Sequence, residues 1–180
     1  MPLIKQNFNS LQQIILDIDH YKSLTKLSCK FDKLTKLSLC FKDFQSMRKY
    51  EDDWAAFVHL LNQSPQLTSL VVRNLNVAEA AFARHPDIQS NKVETLDLEI
   101  RYARNTASCL KIIRKCASSL KCLKLKLYRR DIWNNDWYLP NVESVYVDDR
   151  FSNDEFVGID LVKTHFNDRV KILIPENADW

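Results

Sequence analysis

The sequence predicts an α/β chain: an open, curved parallel sheet of six to seven strands, with helices or irregular returns on the convex side. Two observations carry this reading. The spacing Leu-x-x-Leu-x-Leu, or a close variant, recurs along the 180 residues, and each copy alternates apolar and polar positions. That period of two marks a strand with one buried face. Between copies the apolar residues recur with a helical period instead. A strand with its return cannot bury its apolar face alone, so neighbouring units stack into a continuous core with their strands aligned.

The copies read LQQIILDI from Leu11, LTKLSLCF from Leu34, LTSLVV from Leu67, VETLDLEI from Val93, LKCLKLKL from Leu120 and VESVYV from Val142. A degenerate copy, VKILI, begins at Val170. Their starts lie 23, 33, 26, 27, 22 and 28 residues apart. All but the 33-residue spacing fall within the period of leucine-rich repeats, about 20–29 residues, which predicts a single leucine-rich-repeat solenoid domain over residues 1–180. LTKLSCKF at Leu24 and LTKLSLCF at Leu34 are too close for both to be sheet strands. Leu34 is assigned to the sheet, and Leu24 and Leu27 to the outer wall of the first repeat.

Trp54, Phe57, Val58 and Leu61 lie at i, i+3, i+4 and i+7, and Pro65 follows them, which predicts a helix that stops before the proline. Cys109, Ile112, Ile113 and Cys116 repeat the arrangement before Leu120. Ala78, Ala81 and Phe82 do so more weakly before Pro86. The long second repeat carries an insertion around residues 43–53, read as a loop or an extra helical turn. Residues 129–141 have no helical period, and their Trp133, Trp137 and Tyr138 are expected to cover the core edge. Ser152-Asn153-Asp154-Glu155 has capping-box spacing ahead of Phe156, Ile159, Val162 and Phe166.

Composition excludes several classes. Hydrophobic residues at 46% and charged residues at 27% describe a globular chain and not a disordered one. No apolar run approaches the roughly 18 residues of a membrane span, and MPLIKQNFNS lacks the build of a secretory signal. Cys29, Cys40, Cys109, Cys116 and Cys122 contain no C-x-x-C pair, which fits thiols used as core residues in a reducing compartment. The expected location is cytoplasmic or nuclear. The sequon Asn62-Gln63-Ser64 is expected to be idle there.

Aligning the copies sorts residues by face. Position four (Ile14, Leu37, Leu70, Leu96, Leu123, Val145) and position six (Leu16, Leu39, Val72, Leu98, Leu125, Val147) should point inward. Positions five and seven should project from the open face, since side chains alternate across a strand. Position seven reads Asp17, Cys40, Arg73, Glu99, Lys126 and Asp148, so the sign alternates from the third copy onward. Position five reads Ile15, Ser38, Val71, Asp97, Lys124 and Tyr146. Opposite charges would therefore meet across neighbouring strands.

That alignment bears on a rival reading. From Arg101 to Arg130 there are ten basic residues and no acidic one, which read linearly resembles a nucleic-acid patch, with Lys111 to Arg130 as its contact segment. Folded as a solenoid, Lys124 and Lys126 fall among Asp97, Glu99 and Asp148. Lys111, Arg114, Lys115 and Lys121 fall on the wall and the approach to the strand, where a solvated charged face is ordinary.

Catalytic signals are absent from the sequence. His20, His59, His85 and His165 have no metal-ligand spacing, and there is no G-x-S-x-G or H-E-x-x-H. A single glycine, Gly158, leaves no phosphate-cradling loop. Asp148 and Asp149 are adjacent in a strand and would point to opposite faces. Cys40 and Cys122 are placed toward the sheet face with no base set beside them by motif. No enzyme, metal site or cofactor is expected.

The segments LLNQSPQLTSLVV, from Leu60, and CLKIIRKCASSLKCLKLKL, from Cys109, resemble the cysteine-containing leucine-rich repeats of F-box proteins. There a return helix ends near a Cys-Pro or similar pair, the places that Ser64-Pro65 and Cys116 take here. The resemblance implies a substrate-recognition repeat region, with a separate F-box binding the Skp-type adaptor of a cullin ubiquitin ligase. The first repeat starts at Leu11 and residues 1–10 do not resemble the Leu-Pro opening of an F-box, so the ligase role implies a fragment or a truncated relative. The function expected is a protein–protein interaction module. Its open-face contacts would be Arg73, Asp97, Glu99, Lys124, Lys126, Tyr146 and Asp148, with Tyr128 at a strand end. A nucleic-acid-associated protein and a structural repeat fragment, self-associating through uncapped ends, are the alternatives.

Overall fold

Each copy of the motif becomes one strand. The structure is a computed structural model that describes residues 10–18, 30–41, 50–75, 87–89, 92–100, 103–127, 139–148 and 171–173. Its strands are β1 (Gln13–Ile18), β2 (Lys36–Phe41), β3 (Ser69–Arg73), β4 (Thr95–Ile100), β5 (Cys122–Leu127), β6 (Ser144–Asp148) and β7 (Lys171–Leu173). All seven form one sheet in chain order, and every neighbouring pair is parallel. The helices are α1 (Tyr50–Asn62) and α2 (Ala103–Cys116). This is an α/β architecture on an open parallel sheet.

The register is the one that laying the copies side by side predicts. Ile14, Leu37, Leu70, Leu96, Leu123 and Val145 lie opposite one another from strand to strand. From Leu37 to Val145 this row is buried almost completely, as is the row from Leu39 through Val72, Leu98 and Leu125 to Val147. Ile14 and Leu16 are only partly buried against the core; among the described strands β1 ends the order and pairs with β2 alone. The seventh copy departs from the expected frame. Lys171 pairs with Ser144 and Ile172 with Val145, which puts Val170 at the second motif position instead of the first.

A repeated backbone device sets this register before each strand begins. The carbonyl at motif position two accepts the N–H groups of positions two and three of the next copy. Gln12 accepts Thr35 and Lys36, Thr35 accepts Thr68 and Ser69, Thr68 accepts Glu94 and Thr95, Glu94 accepts Lys121 and Cys122, and Lys121 accepts Glu143 and Ser144. The Thr35 and Thr68 hydroxyls donate to the same carbonyls, each at 3.2 Å. A tight turn precedes three of the copies, closed by Leu34 N–H to Phe31, Leu67 N–H to Ser64 and Val142 N–H to Leu139. In two of these turns the second residue is a proline, Pro65 or Pro140, where its fixed φ suits the bend.

Both helices carry the apolar stripes that predict them and bury them in the same core as the sheet. Trp54, Phe57, Val58 and Leu61 of α1 are buried, with the Trp54 and Phe57 rings 5.4 Å apart. Cys109, Ile112, Ile113 and Cys116 of α2 are buried in turn, and α2 packs on β4. The helices are longer than their stripes. Residues 50–53 of the inserted second repeat belong to α1, and α2 starts six residues before Cys109. Ser64 ends α1 by donating its hydroxyl to Leu60 at 2.7 Å, and the N–H groups of Ser119 and Leu120 both close on the Cys116 carbonyl. Neither terminus needs a glycine. The readings for Leu24 and Leu27, Ala78 to Phe82, Trp133 to Tyr138 and Ser152 onward lie outside the described residues.

Candidate functional site

With positions four and six turned into the core, positions five and seven form the opposite face, and the described helices both lie on the core side. Two halves of that face differ in chemistry. Across β1 to β3 it carries Ile15, Ser38, Cys40 and Val71, with Ile15 70% exposed. Across β3 to β6 it carries Arg73, Asp97, Glu99, Lys124, Lys126, Tyr146 and Asp148. Tyr128 lies outside the described residues.

The expected ladder of straight-across pairs is only partly realised. Arg73 reaches diagonally to Asp97 and donates two parallel hydrogen bonds, Nη1 to Oδ1 at 2.6 Å and Nη2 to Oδ2 at 2.7 Å. Glu99, two residues further along β4, is 3.9 Å from Arg73 Nε. A guanidinium can do this because its planar fork matches a carboxylate and leaves Nε for a second acid. Desolvation by burial is the largest single influence on Arg73 and opposes its charge. The Asp97 hydrogen bonds and charge, with Glu99 and Cys40 adding, outweigh it and hold the guanidinium pKa above its ordinary value.

The lysines are arranged otherwise. In register, Lys124 stands between Asp97 and Tyr146, and Lys126 between Glu99 and Asp148. The Lys124 ammonium lies over the Tyr146 ring, 5.1 Å from its centroid, a placement favoured by the negative ring face. Glu99 and Asp148 are 6% and 4% exposed, whereas both lysines are half-buried. Burial thus corrects the expectation that all these groups project alike: Glu99 and Asp148 are buried, and Lys124 and Lys126 are not. Asp97, Lys124, Leu125, Lys126, Tyr146 and Asp148 line a shallow recess of about 200 Å³, part of it open solvent.

The basic segment is neutralised further on the wall. Asp87 accepts Lys115 and, at 3.3 Å, Lys111, which lie one helical turn apart on α2. Hydrogen bonding from Lys115 lowers the Asp87 pKa most, burial opposes this, and Lys111 adds to the lowering. Lys121 meets Glu94 at 3.2 Å, and the Lys111 ammonium lies 5.5 Å from the Trp54 ring centroid. Asp87 was missed by sequence reasoning, which assigned Lys111 and Lys115 to bare solvent. The Lys-x-x-x-Lys spacing was its one legible trace.

Cys40 and Cys122 are half-buried on the sheet face, Cys109 and Cys116 are buried in the core, and none of the four is in a disulfide. Desolvation pushes the Cys109 thiol up to about 12. Among the described residues no three His, Cys, Asp or Glu side chains are grouped to hold a metal ion, and no helix is long and apolar enough to cross a membrane. The sequon Asn62 is engaged: its amide donates to the Asp87 carbonyl at 3.2 Å and accepts the Gln89 N–H at 3.0 Å. No family model, curated protein or solved structure matches the chain.

Proposed function

We propose that the chain is a leucine-rich-repeat solenoid that serves as a non-enzymatic protein-recognition module through its open sheet face. One observation carries the reading. Each motif copy contributes one strand in strict sequence order, and the same two motif positions recur on the face opposite both described helices. Repeat arrays with this build offer extended binding surfaces. The resemblance to the repeats of F-box proteins extends the proposal to a substrate-recognition region of a ubiquitin ligase component. The nucleic-acid reading is weaker, because Lys111, Lys115 and Lys121 face Asp87 and Glu94.

A photo-reactive amino acid at Val71, on the open face, should cross-link a protein that purified chain then rebinds, and Val71→Arg should abolish the rebinding. The same probe at exposed Arg114 on α2 should capture nothing that competes with it. Capture from Arg114 alone, or rebinding untouched by Val71→Arg, would refute the open face as the interface.

A further inference from the structure

We infer that β1 is a dimer edge, separate from the open-face interface: it pairs antiparallel with β1 of a second copy of this chain. The two-fold axis stands normal to the sheet at Ile15. Backbone direction, burial and the sequence of the strand all favour that occupant.

The Gln12 carbonyl accepts Thr35 and Lys36 of the next copy, and Gln13 is in register with Lys36. In a parallel ladder, Gln12, Ile14 and Leu16 therefore turn their N–H and C=O groups toward β2, while Gln13, Ile15 and Asp17 turn theirs away from it. Among the described residues no strand pairs with that side of β1. Facing residues of an antiparallel pair exchange both hydrogen bonds at every second position. A second β1 meets this demand by setting Ile15 opposite Ile15 and Gln13 opposite Asp17. A register centred on Gln13 or Asp17 keeps the same backbone rule but moves Ile15 off itself and shortens the overlap.

Burial asks for the same neighbour. A two-fold axis normal to the sheet sets core side beside core side and open face beside open face. Ile14 then lies opposite Leu16 of the second copy on the core side. Both are only partly buried, whereas their counterparts Leu37 and Leu39 in β2 are 1% and 0% exposed. On the open face Ile15 meets its own copy. It is the one large apolar side chain among the described residues that stands exposed, at 70%. The occupant must therefore be an extended strand with apolar residues on both faces, and Ile14-Ile15-Leu16 is such a run.

The two ends of the strand order are also unlike. β7 has three residues, whereas β1 has six, QIILDI, without lysine, proline or glycine. Shortness, lysine and proline are the means by which edge strands avoid pairing, and β1 has none of them. Head-to-tail stacking of β1 on β7 would engage three residues and leave the array open, while the two-fold pair engages all of β1 and closes. A single strand pair is small beside a standard interface of about 1,600 Å², so the dimer should dissociate on dilution.

Sedimentation velocity of the full chain over a wide concentration range should show a monomer–dimer equilibrium. Ile15→Lys and Ile15→Glu should each weaken dimerisation by about tenfold or more, through lost apolar contact and like charges directly opposite. An equal mixture of the two should recover the dimer, because the axis sets residue 15 against itself. Val71→Arg, on the open face of β3, should leave the dimer unchanged, and circular dichroism should show every variant folded. A monomer at all concentrations would overturn the inference and show the edge to be covered otherwise. Indifference to Ile15→Lys, or failure of the mixture to recover the dimer, would overturn the pairing about Ile15. Oligomers that grow without limit would replace it with head-to-tail stacking. Since Val71→Arg tests the open face and the charge swap tests the edge, either reading can fail while the other stands.

Discussion

Arg73 is the residue on which the charged half of the open face turns, and its removal should be asymmetric with that of its partner. At about 4 Å and an effective dielectric of about 20, one unit pair gains roughly 4 kcal/mol before desolvation. Exposed pairs retain about 0–1 kcal/mol, and removal of one partner from a buried pair costs about 3–5 kcal/mol. Arg73 and Asp97, with side chains 20% and 17% exposed, fall between these limits. Arg73→Met leaves Asp97 and the 6% exposed Glu99 side by side on β4 without the guanidinium. It should cost about 2–3 kcal/mol, since uncompensated buried charge dominates such losses. Asp97→Asn leaves Arg73 with Glu99 at 3.9 Å and should cost only about 1 kcal/mol.

The double variant Arg73→Met, Asp97→Asn should cost no more than Arg73→Met alone, giving a coupling of about 1–2 kcal/mol. Urea unfolding followed by circular dichroism measures all four proteins, with the stability difference read from midpoints at constant slope. Additive losses would show that the two side chains do not interact as the distances state. A loss at Asp97→Asn equal to that at Arg73→Met would show that Glu99 provides no second acceptor.

Two further outcomes test other parts of the structure. The lowered pKa of Asp87 means that its unfolded form binds the proton more readily, so its stabilisation is present above the ordinary carboxylate range and lost as pH falls through the lower folded value. Asp87→Asn should therefore lower the urea midpoint slightly at pH 7, by under about 1 kcal/mol for a half-exposed group, and leave it unchanged near pH 2; an equal loss at both pH values would contradict the Lys111 and Lys115 pairing. Cys109, held at about 12, has a thiolate fraction on the order of 10⁻⁴ at pH 8. Under native conditions iodoacetamide should label Cys40 and Cys122 but not Cys109, and unfolding should expose it; mass spectrometry of the alkylated peptides decides, and native labelling of Cys109 would refute its burial.

Much of the frame is legible before any coordinates. The apolar stripes place both described helices, and position-by-position alignment places every described strand except the short last one correctly in register. There, VKILI offers two apolar frames, and only pairing of Lys171 with Ser144 chooses between them. The helix starts are not legible, because α2 opens with Ala103 and polar residues that carry no stripe. Asp87 is not legible as a partner of Lys111 and Lys115, since nothing local brings residues 24 and 28 positions apart into contact.

The open face divides in the same way. By itself the sequence determines which side chains share it, because alternation along a strand is a property of the local backbone, and equal motif positions pair when equal repeats stack. Which of those charges meet, and at what depth, belongs to the tertiary structure alone. Arg73 takes Asp97 diagonally, Lys124 settles over Tyr146, and Glu99 and Asp148 are buried while the lysines are only half-buried. Those outcomes depend on side-chain length, planarity and desolvation, which compete across strands after the backbone has already been placed.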